Sequence, residues 1–188
     1  HSLGMDRDEL FSLATALEGH PDNVAPALFG GLTASAVEAG IPLSVSYPLS
    51  PLLHFTALVP PYELSTALSR RVLPHDVPRA DAIFNVSRAA LLISALGSGD
   101  VKLLRAAMAD RLHEPYRIPL IDGYDTARGL AHKCGAEAMC ISGAGSTLLC
   151  VSADESFSAR IEADLAAALP GWRVIPLLPE LDGAHVEE

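Results

Sequence analysis

Residues 138–151 read AMCISGAGSTLLCV, two short apolar runs separated by the turn Ser142-Gly143-Ala144-Gly145-Ser146. Glycine permits the positive φ angles and the close backbone approach that a tight connection between strands needs. The stretch therefore predicts strands over residues 138–142 and 147–151 joined by a glycine turn. Because the glycines are followed by a strand and by no lysine, the turn is neither a Walker loop nor a dinucleotide-binding turn.

The residues on either side of this hairpin complete a pattern of alternating element types. A strand is predicted over residues 53–59, and several amphipathic helices follow it. One of them, over residues 81–96, has an apolar face broad enough for a well-buried helix. Beyond the hairpin, a helix over 155–169 precedes a strand over 172–177. This order predicts an α+β sandwich of ferredoxin-like type.

The residues before position 50 predict a different unit. Asp6 and Glu9 form a capping-box signature at the start of a helix over residues 8–18. A short helix and a hairpin follow. The domains predicted from this change of pattern are 1–50, the tail of one domain, and 51–188, a second domain.

Composition excludes several classes of protein. The chain has 188 residues, of which 49% are hydrophobic, so it is globular. Its formal net charge of −10 argues against a nucleic-acid partner, because phosphate contacts require clustered cations. The three cysteines fit neither a disulfide framework nor a zinc site. No uninterrupted apolar stretch approaches the ~20 residues of a membrane span, so we expect a cytoplasmic protein without a membrane partner.

Two short features near the N-terminus are candidates for chemistry. Glu18 lies in the last turn of a predicted helix, where its charge faces the negative end of the helix dipole. A Mg²⁺ ion would offset that repulsion, although a solvated surface glutamate explains it equally well. His20, Asp22 and Asn23 precede a predicted helix start, so they either bind a polar ligand or merely cap the helix.

The second half of the chain offers two further candidates. The turn from Ser142 to Gly145 can direct backbone N–H groups at a phosphate or carboxylate, or it can be only a hairpin turn. Arg70, Arg117 and Arg88 can bind a carboxylate through paired N–H donors. Arginines near helix ends are also commonly solvated, and nothing local separates the two interpretations.

Taken together, the string EGHPDNVAPA at residues 18–27, FGG at 29–31 and ISGAG at 141–145 resembles the homoserine kinases of the GHMP small-molecule kinase superfamily. The run after Glu18 distinguishes homoserine kinases from other members of that superfamily. Residues 66–74 and 110–119, which contain RRVLP and HEPYR, are similar to the same family.

This resemblance implies an ATP- and Mg²⁺-dependent enzyme that phosphorylates the side-chain hydroxyl of L-homoserine to give O-phospho-L-homoserine, in threonine biosynthesis. It also implies a homodimer. Glu18 and Asn23 would be the catalytic residues, with Glu18 as the metal ligand. The implied substrate-binding residues are His20, Asp22, Asn23, Thr66, Arg70 and Arg117, and the implied phosphate or substrate loop is Ser142, Gly143, Ala144 and Gly145.

The chain departs from the family in two places. Ser146-Thr147 replaces the usual Pro-Thr after the glycines. The PxxxGLGSS-type ATP phosphate loop is not found, and seventeen residues precede Glu18. We therefore expect a C-terminal portion that is inactive alone. Two alternatives stay open: a non-catalytic amino-acid-binding module, and a GHMP kinase for another small alcohol, which Arg70 and Arg117 disfavour.

Overall fold

The structure is a computed structural model that describes residues 4–185. These residues divide into two compact units. The first contains residues 4–49 together with 179–185, and the second is Ser50–Leu178. The division into domains 1–50 and 51–188 stays a prediction, and the contacts add that residues 179–185 group with the first unit.

The first unit is built from two helices and one antiparallel hairpin. Its elements are α1 (Arg7–Glu18), α2 (Val24–Phe29), β1 (Leu32–Glu38) and β2 (Ile41–Tyr47). The predicted capping box is present, because the Asp6 side chain accepts the Glu9 N–H at 2.8 Å and Glu9 accepts the Asp6 N–H at 3.0 Å. A small core packs the Phe11 and Phe29 rings edge to face, 5.2 Å apart.

The chain after residue 179 packs against the end of α2. Ala184 donates its N–H to the Ala27 carbonyl at 3.0 Å, and Gly31 donates to the Glu180 carbonyl at 2.7 Å. Gly30 has φ +77°, and a Cβ atom there would lie 2.5 Å from the Leu181 backbone. Only glycine satisfies both the positive φ and this close approach.

The second unit is a four-stranded antiparallel sheet with helices on both faces. Its strands, in the spatial order β4-β5-β3-β6, are β3 (His54–Val59), β4 (Ala138–Ile141), β5 (Leu148–Ser152) and β6 (Arg173–Leu177). The helices are α3 (Thr66–Arg71), α4 (Arg79–Ser98), α5 (Val101–Ala107), α6 (Glu114–Arg117), α7 (Tyr124–Lys133) and α8 (Phe157–Ala168). This strand order is that of a ferredoxin-like sheet, so the predicted fold class is confirmed.

Successive side chains of the central strands β3 and β5 point alternately into two hydrophobic cores. Leu58 and Leu148 are paired across β3 and β5 and pack against α7 and α8. Phe55 and Val151 are also paired, but they pack with residues of α4 and α5. Because successive strand residues point to opposite faces, one pair of strands serves both cores.

Helix α4 differs from its prediction. Ala95 is its one fully buried residue, while Ile83, Val86 and Leu91 are exposed. The expectation of a well-buried helix was therefore wrong, because only one side of α4 packs on the sheet.

Within residues 4–185, α4 is also the one helix long and apolar enough, by length and composition alone, to cross a membrane. Its apolar residues are interrupted by Asp81, Asn85 and Arg88, so α4 is not the uninterrupted apolar stretch whose absence was expected.

Replacing Gly30 with Ala should unfold the first unit more easily. The new Cβ would overlap the Leu181 backbone, and the positive φ would add strain, for a total loss of roughly 3 kcal/mol or more. Gly40 is the matched control, because it has φ +84° with open space around it. Gly40→Ala should cost only about 1–2 kcal/mol. Equal unfolding midpoints in urea for the two variants would contradict the packing of residues 179–185 on α2.

Candidate functional site

The candidate residues predicted from the sequence lie in both units. Glu18, His20, Asp22 and Asn23 belong to the first unit, and Thr66, Arg70, Arg117 and the turn 142–145 belong to the second. Each group is described within its own unit.

The loop between α1 and α2 holds three of the candidates close together. Gly19 ends α1 in the left-handed conformation and donates its N–H to Thr15. This turn places the Glu18 carboxylate 4.0 Å from Nε2 of His20. His20 Nδ1 is hydrogen-bonded to the Asp22 carboxylate, which also accepts the Asn23 N–H at 3.1 Å. Asp22 therefore orients the imidazole, and Nδ1 is its donor nitrogen.

Asn23 occupies the N-cap position of α2, but its side chain makes no capping hydrogen bond. The first turn of the helix is closed instead by the bond from the Ala25 N–H to the Pro21 carbonyl, 2.8 Å. The alternative that Asn23 serves only to cap the helix has no support from this geometry. Its carboxamide is available to a ligand.

In the second unit, Arg117 connects three segments. It extends from α6, donates Nε to the Ser69 carbonyl at 3.2 Å, and donates Nη1 to the Gly143 carbonyl at 3.0 Å. His113 Nδ1 lies 3.5 Å from the same Nη1. Both of these hydrogen-bond acceptors are uncharged carbonyl groups, so neither of them compensates the positive charge of the guanidinium. Nη2 has no hydrogen-bond partner within residues 4–185, so it can bind an anion.

The other candidate residues on helices have different surroundings. Thr66 and Arg70 lie at the two ends of α3, and both are exposed. Because Arg117 bonds to Ser69, the end of α3 that carries Arg70 lies beside Arg117. Arg88 is instead stacked 3.1 Å above the Phe84 ring centroid and donates to the Phe84 carbonyl. Arg88 therefore makes its contacts within α4 and is not part of the group around Arg117.

The glycine turn is shaped by its own backbone. Ser142 donates its N–H to the Thr147 carbonyl, and Gly145 donates to the Ser142 carbonyl. Gly143 and Gly145 both have positive φ, +56° and +90°. Ser142 and Gly143 are exposed, whereas Ser146 is buried and its hydroxyl donates to the Tyr62 carbonyl. Serine at position 146 therefore ties the turn to the segment that contains Tyr62.

Sequence reasoning missed Asp110, which holds the start of α6. One of its oxygens, Oδ1, accepts the N–H groups of Leu112, His113 and Glu114 at 2.7–3.0 Å. The other, Oδ2, accepts from Asn85 Nδ2 at 2.5 Å. The signal in the sequence is an acidic residue a few positions before a proline-containing helical turn, a common capping arrangement.

These hydrogen bonds set the charge state of Asp110. Burial alone would raise its pKa, but the N–H groups of His113 and Glu114 and the Asn85 amide together outweigh burial and lower the pKa. The carboxylate is therefore ionised at neutral pH. It fixes α6, and through α6 it positions Arg117 beside Ser69 and Gly143.

Glu18 is the candidate metal ligand of the first unit. Within the part of the chain that the structure describes, no group of three or more His, Cys, Asp or Glu residues could hold a metal ion. Mg²⁺ bound with a nucleotide needs only one or two carboxylates, since phosphates and water complete its shell. Glu18, whose side chain is 53% exposed, fits that lesser requirement.

The sequence of the second unit matches a known family. Residues 92–171 match the family described as GHMP kinases C terminal. This segment is similar to the C-terminal domain of GHMP kinases. The matched GHMP kinase segment includes α6 with Arg117 and the glycine turn, so the resemblance stated from the sequence is confirmed.

Several proteins similar to this chain are named homoserine kinase. One, from Moorella thermoacetica, is 47% identical over 141 residues, covering 75% of this chain and 48% of that protein. Another, from Clostridium acetobutylicum, is 38% identical over 180 residues, covering 95% and 61%. The crystal structure of homoserine kinase from Cytophaga hutchinsonii matches with a TM-score of 0.88 and 26% identity, covering 97% and 61%. The chain thus spans about half to three fifths of these relatives.

Replacing Asp110 with Ala should destabilise the second unit by roughly 2–4 kcal/mol, because several donors lose a charged acceptor together. Asp110→Asn should cost less, since its carbonyl oxygen still accepts the backbone N–H groups. Asp100→Ala is the control: Asp100 caps α5 through two N–H groups and should cost about 1 kcal/mol. Thermal unfolding measures all three.

The pH dependence gives an independent check. Because the folded-state pKa of Asp110 is lowered, its contribution is present above the ordinary value of 3.8 and is lost as pH falls through the lowered pKa. Between neutral pH and strong acid, Asp110→Ala should therefore lose less stability than the unaltered chain. An unchanged difference between the two proteins across that range would contradict the ionised network.

Proposed function

We propose that this chain is part of a GHMP kinase that transfers the γ-phosphoryl group of ATP to the side-chain hydroxyl of L-homoserine. The product is O-phospho-L-homoserine, and the reaction belongs to threonine biosynthesis in the cytoplasm. The observation that carries this proposal is Arg117, a guanidinium fixed by two carbonyls that retains its charge beside α3 and the glycine turn. The curated relatives named homoserine kinase support the choice of substrate.

Each candidate residue has a role that follows from its chemistry. Nη2 of Arg117, with Arg70, binds the homoserine carboxylate, because arginine matches carboxylate geometry and stays charged. Thr66 lines the same pocket. On the first unit, Asn23 and the imidazole of His20, oriented by Asp22, contact the substrate near its hydroxyl.

In the reaction, the hydroxyl oxygen forms a bond to the γ-phosphorus, the bond from that phosphorus to ADP breaks, and the hydroxyl proton is lost. The carboxamide of Asn23 does not accept a proton usefully, so we assign it to alignment of the hydroxyl rather than to base catalysis. Backbone N–H groups of the turn from Ser142 to Gly145 are suited to a negatively charged oxygen.

Glu18 is the residue that would hold Mg²⁺ together with ATP. Bound there, the ion would neutralise charge on the phosphates. Its position at the C-terminal end of α1 disfavours a carboxylate unless a cation is near, which supports the assignment.

A kinase for an alcohol without a carboxylate is less well supported, because Arg117 would then hold an uncompensated charge without a ligand. A non-catalytic amino-acid-binding module is separated from the kinase by calorimetry on the complete gene product, where homoserine or threonine binding without any ATP dependence would favour the module. We also infer a homodimer from the resemblance, and sedimentation velocity measures it.

Replacing Arg117 with Leu should weaken homoserine binding by about tenfold to a hundredfold, because a charge-assisted contact to the substrate carboxylate is lost. Calorimetric titration of the chain with L-homoserine measures the effect. Arg79→Leu is the matched control: Arg79 is an exposed cation at the start of α4 and should leave binding unchanged. Equal losses in both variants would sink the carboxylate assignment.

A turnover assay tests whether these residues can transfer phosphate without an ATP phosphate loop. The 188 residues contain no PxxxGLGSS-type stretch. We therefore expect them to bind homoserine but to release no ADP when ATP and homoserine are added. The homoserine kinase of Moorella thermoacetica is the positive control for the assay. Homoserine-dependent ADP release by these residues would show that the phosphate loop is dispensable, and absence of homoserine binding would refute the substrate assignment.

A further inference from the structure

The second unit contains a cavity that the proposed kinase site does not use. Its volume is about 390 Å³, and it is bounded by the end of α5, α6, α7 and β4. The polar residues that line it include Glu114, Tyr124, Arg128 and His132, and none of the candidate kinase residues lines it. A cavity of this size accommodates a small metabolite.

Two nearly buried residues present unpaired polar atoms to this cavity. Glu114 is 8% exposed and Tyr124 is 5% exposed. One carboxylate oxygen of Glu114, Oε1, accepts the Ile141 N–H at 2.7 Å. The other oxygen, Oε2, and the Tyr124 hydroxyl have no hydrogen-bond partner among residues 4–185.

These two atoms are not sealed inside the protein. The buried side-chain atoms that lack a partner, within the described residues, are Thr15 Oγ1, Ser44 Oγ, Ser69 Oγ and Arg88 Nε. Glu114 Oε2 and Tyr124 Oη are not in that group, so both reach the cavity. An acceptor held this way, largely stripped of water, gains most from a bound cation or N–H donor.

The opposite charge lies on the same cavity wall. Arg128, four residues after Tyr124 on α7, lines the cavity and forms no ion pair with any described residue. Arg105 also lines it but is neutralised by Glu137, 2.8 Å away. The cavity therefore offers one carboxylate oxygen without a hydrogen bond and, on the same wall, a guanidinium whose charge acts on Glu114 and Tyr124 and opposes the rise of their pKa values.

From this juxtaposition we propose a second ligand site that binds a small zwitterion of the α-amino acid class. The ammonium group of the ligand lies against Glu114 Oε2 and Tyr124 Oη, and its carboxylate lies against Arg128. A simple anion would be repelled by Glu114, and a simple amine would leave Arg128 without a partner. Only a molecule with both charges satisfies both groups.

The site is linked to the kinase residues by α6. Glu114 begins this four-residue helix and Arg117 ends it, so a ligand held by Glu114 fixes the helix that carries Arg117. Coupling between two ligands is reciprocal, so occupation of either site changes the affinity of the other. Binding in the cavity itself does not depend on the kinase proposal.

The test follows NMR signals of Tyr124 and Arg128 while the chain is titrated with glycine, L-valine or L-glutamine, none of which carries the homoserine hydroxyl. We expect at least one of these probes to shift both signals saturably, and acetate and butylamine to shift neither. If no amino acid shifts them, or if acetate or butylamine shifts them equally, the proposal is wrong.

Variants separate this site from the kinase site. Glu114→Gln keeps an oxygen for the Ile141 N–H but removes the charge, and it should weaken binding of the probe about tenfold or more. Arg128→Gln changes an exposed side chain without threatening the fold and should have a similar effect. Lys102→Gln on α5, outside the cavity, should leave binding unchanged. Binding that survives both Glu114→Gln and Arg128→Gln, or that is lost equally in Lys102→Gln, would overturn the assignment.

Discussion

The carboxylate of Asp110 is the constraint on which the functional part of the second unit depends. It takes up three consecutive backbone N–H groups at the start of α6, a helix of only four residues that is too short to be stable by itself. Asn85 holds the other oxygen, which ties the loop to α4. Without this capped turn, neither Arg117 nor Glu114 would have a defined direction.

The charged side chains at the two ends of α6 have opposite surroundings. Glu114 is buried, and burial raises its pKa, although the Ile141 N–H works against that effect. Burial and the nearby Glu114 charge also raise the pKa of Tyr124 to about 12. Arg117 instead remains partly exposed and donates to neutral carbonyls. One short helix thus carries a buried acceptor at its first residue and a cation at its last.

Much of this architecture could be predicted from the sequence, because it follows from local patterns. The capping box at Asp6, the glycine hairpin after Ile141 and helix α8 all follow from short-range rules, and the structure confirms each of them. The partners of Arg117 could not be predicted, since they lie 48 and 26 residues away in the sequence. The exposure of α4 was also unpredictable, because an apolar face does not reveal which part of it another element covers.

A chain with a net charge of −10 needs a specific means of binding anionic ligands. Several arginines are paired with carboxylates: Arg105 with Glu137, Arg111 with Asp81 and Arg160 with Asp154. Arg117 differs, because carbonyl groups orient it without cancelling its charge. Electrostatic attraction is strongest where a cation is held in place and left uncompensated. In an acidic protein, whether an arginine is paired with a carboxylate therefore indicates its function better than its position on a helix does.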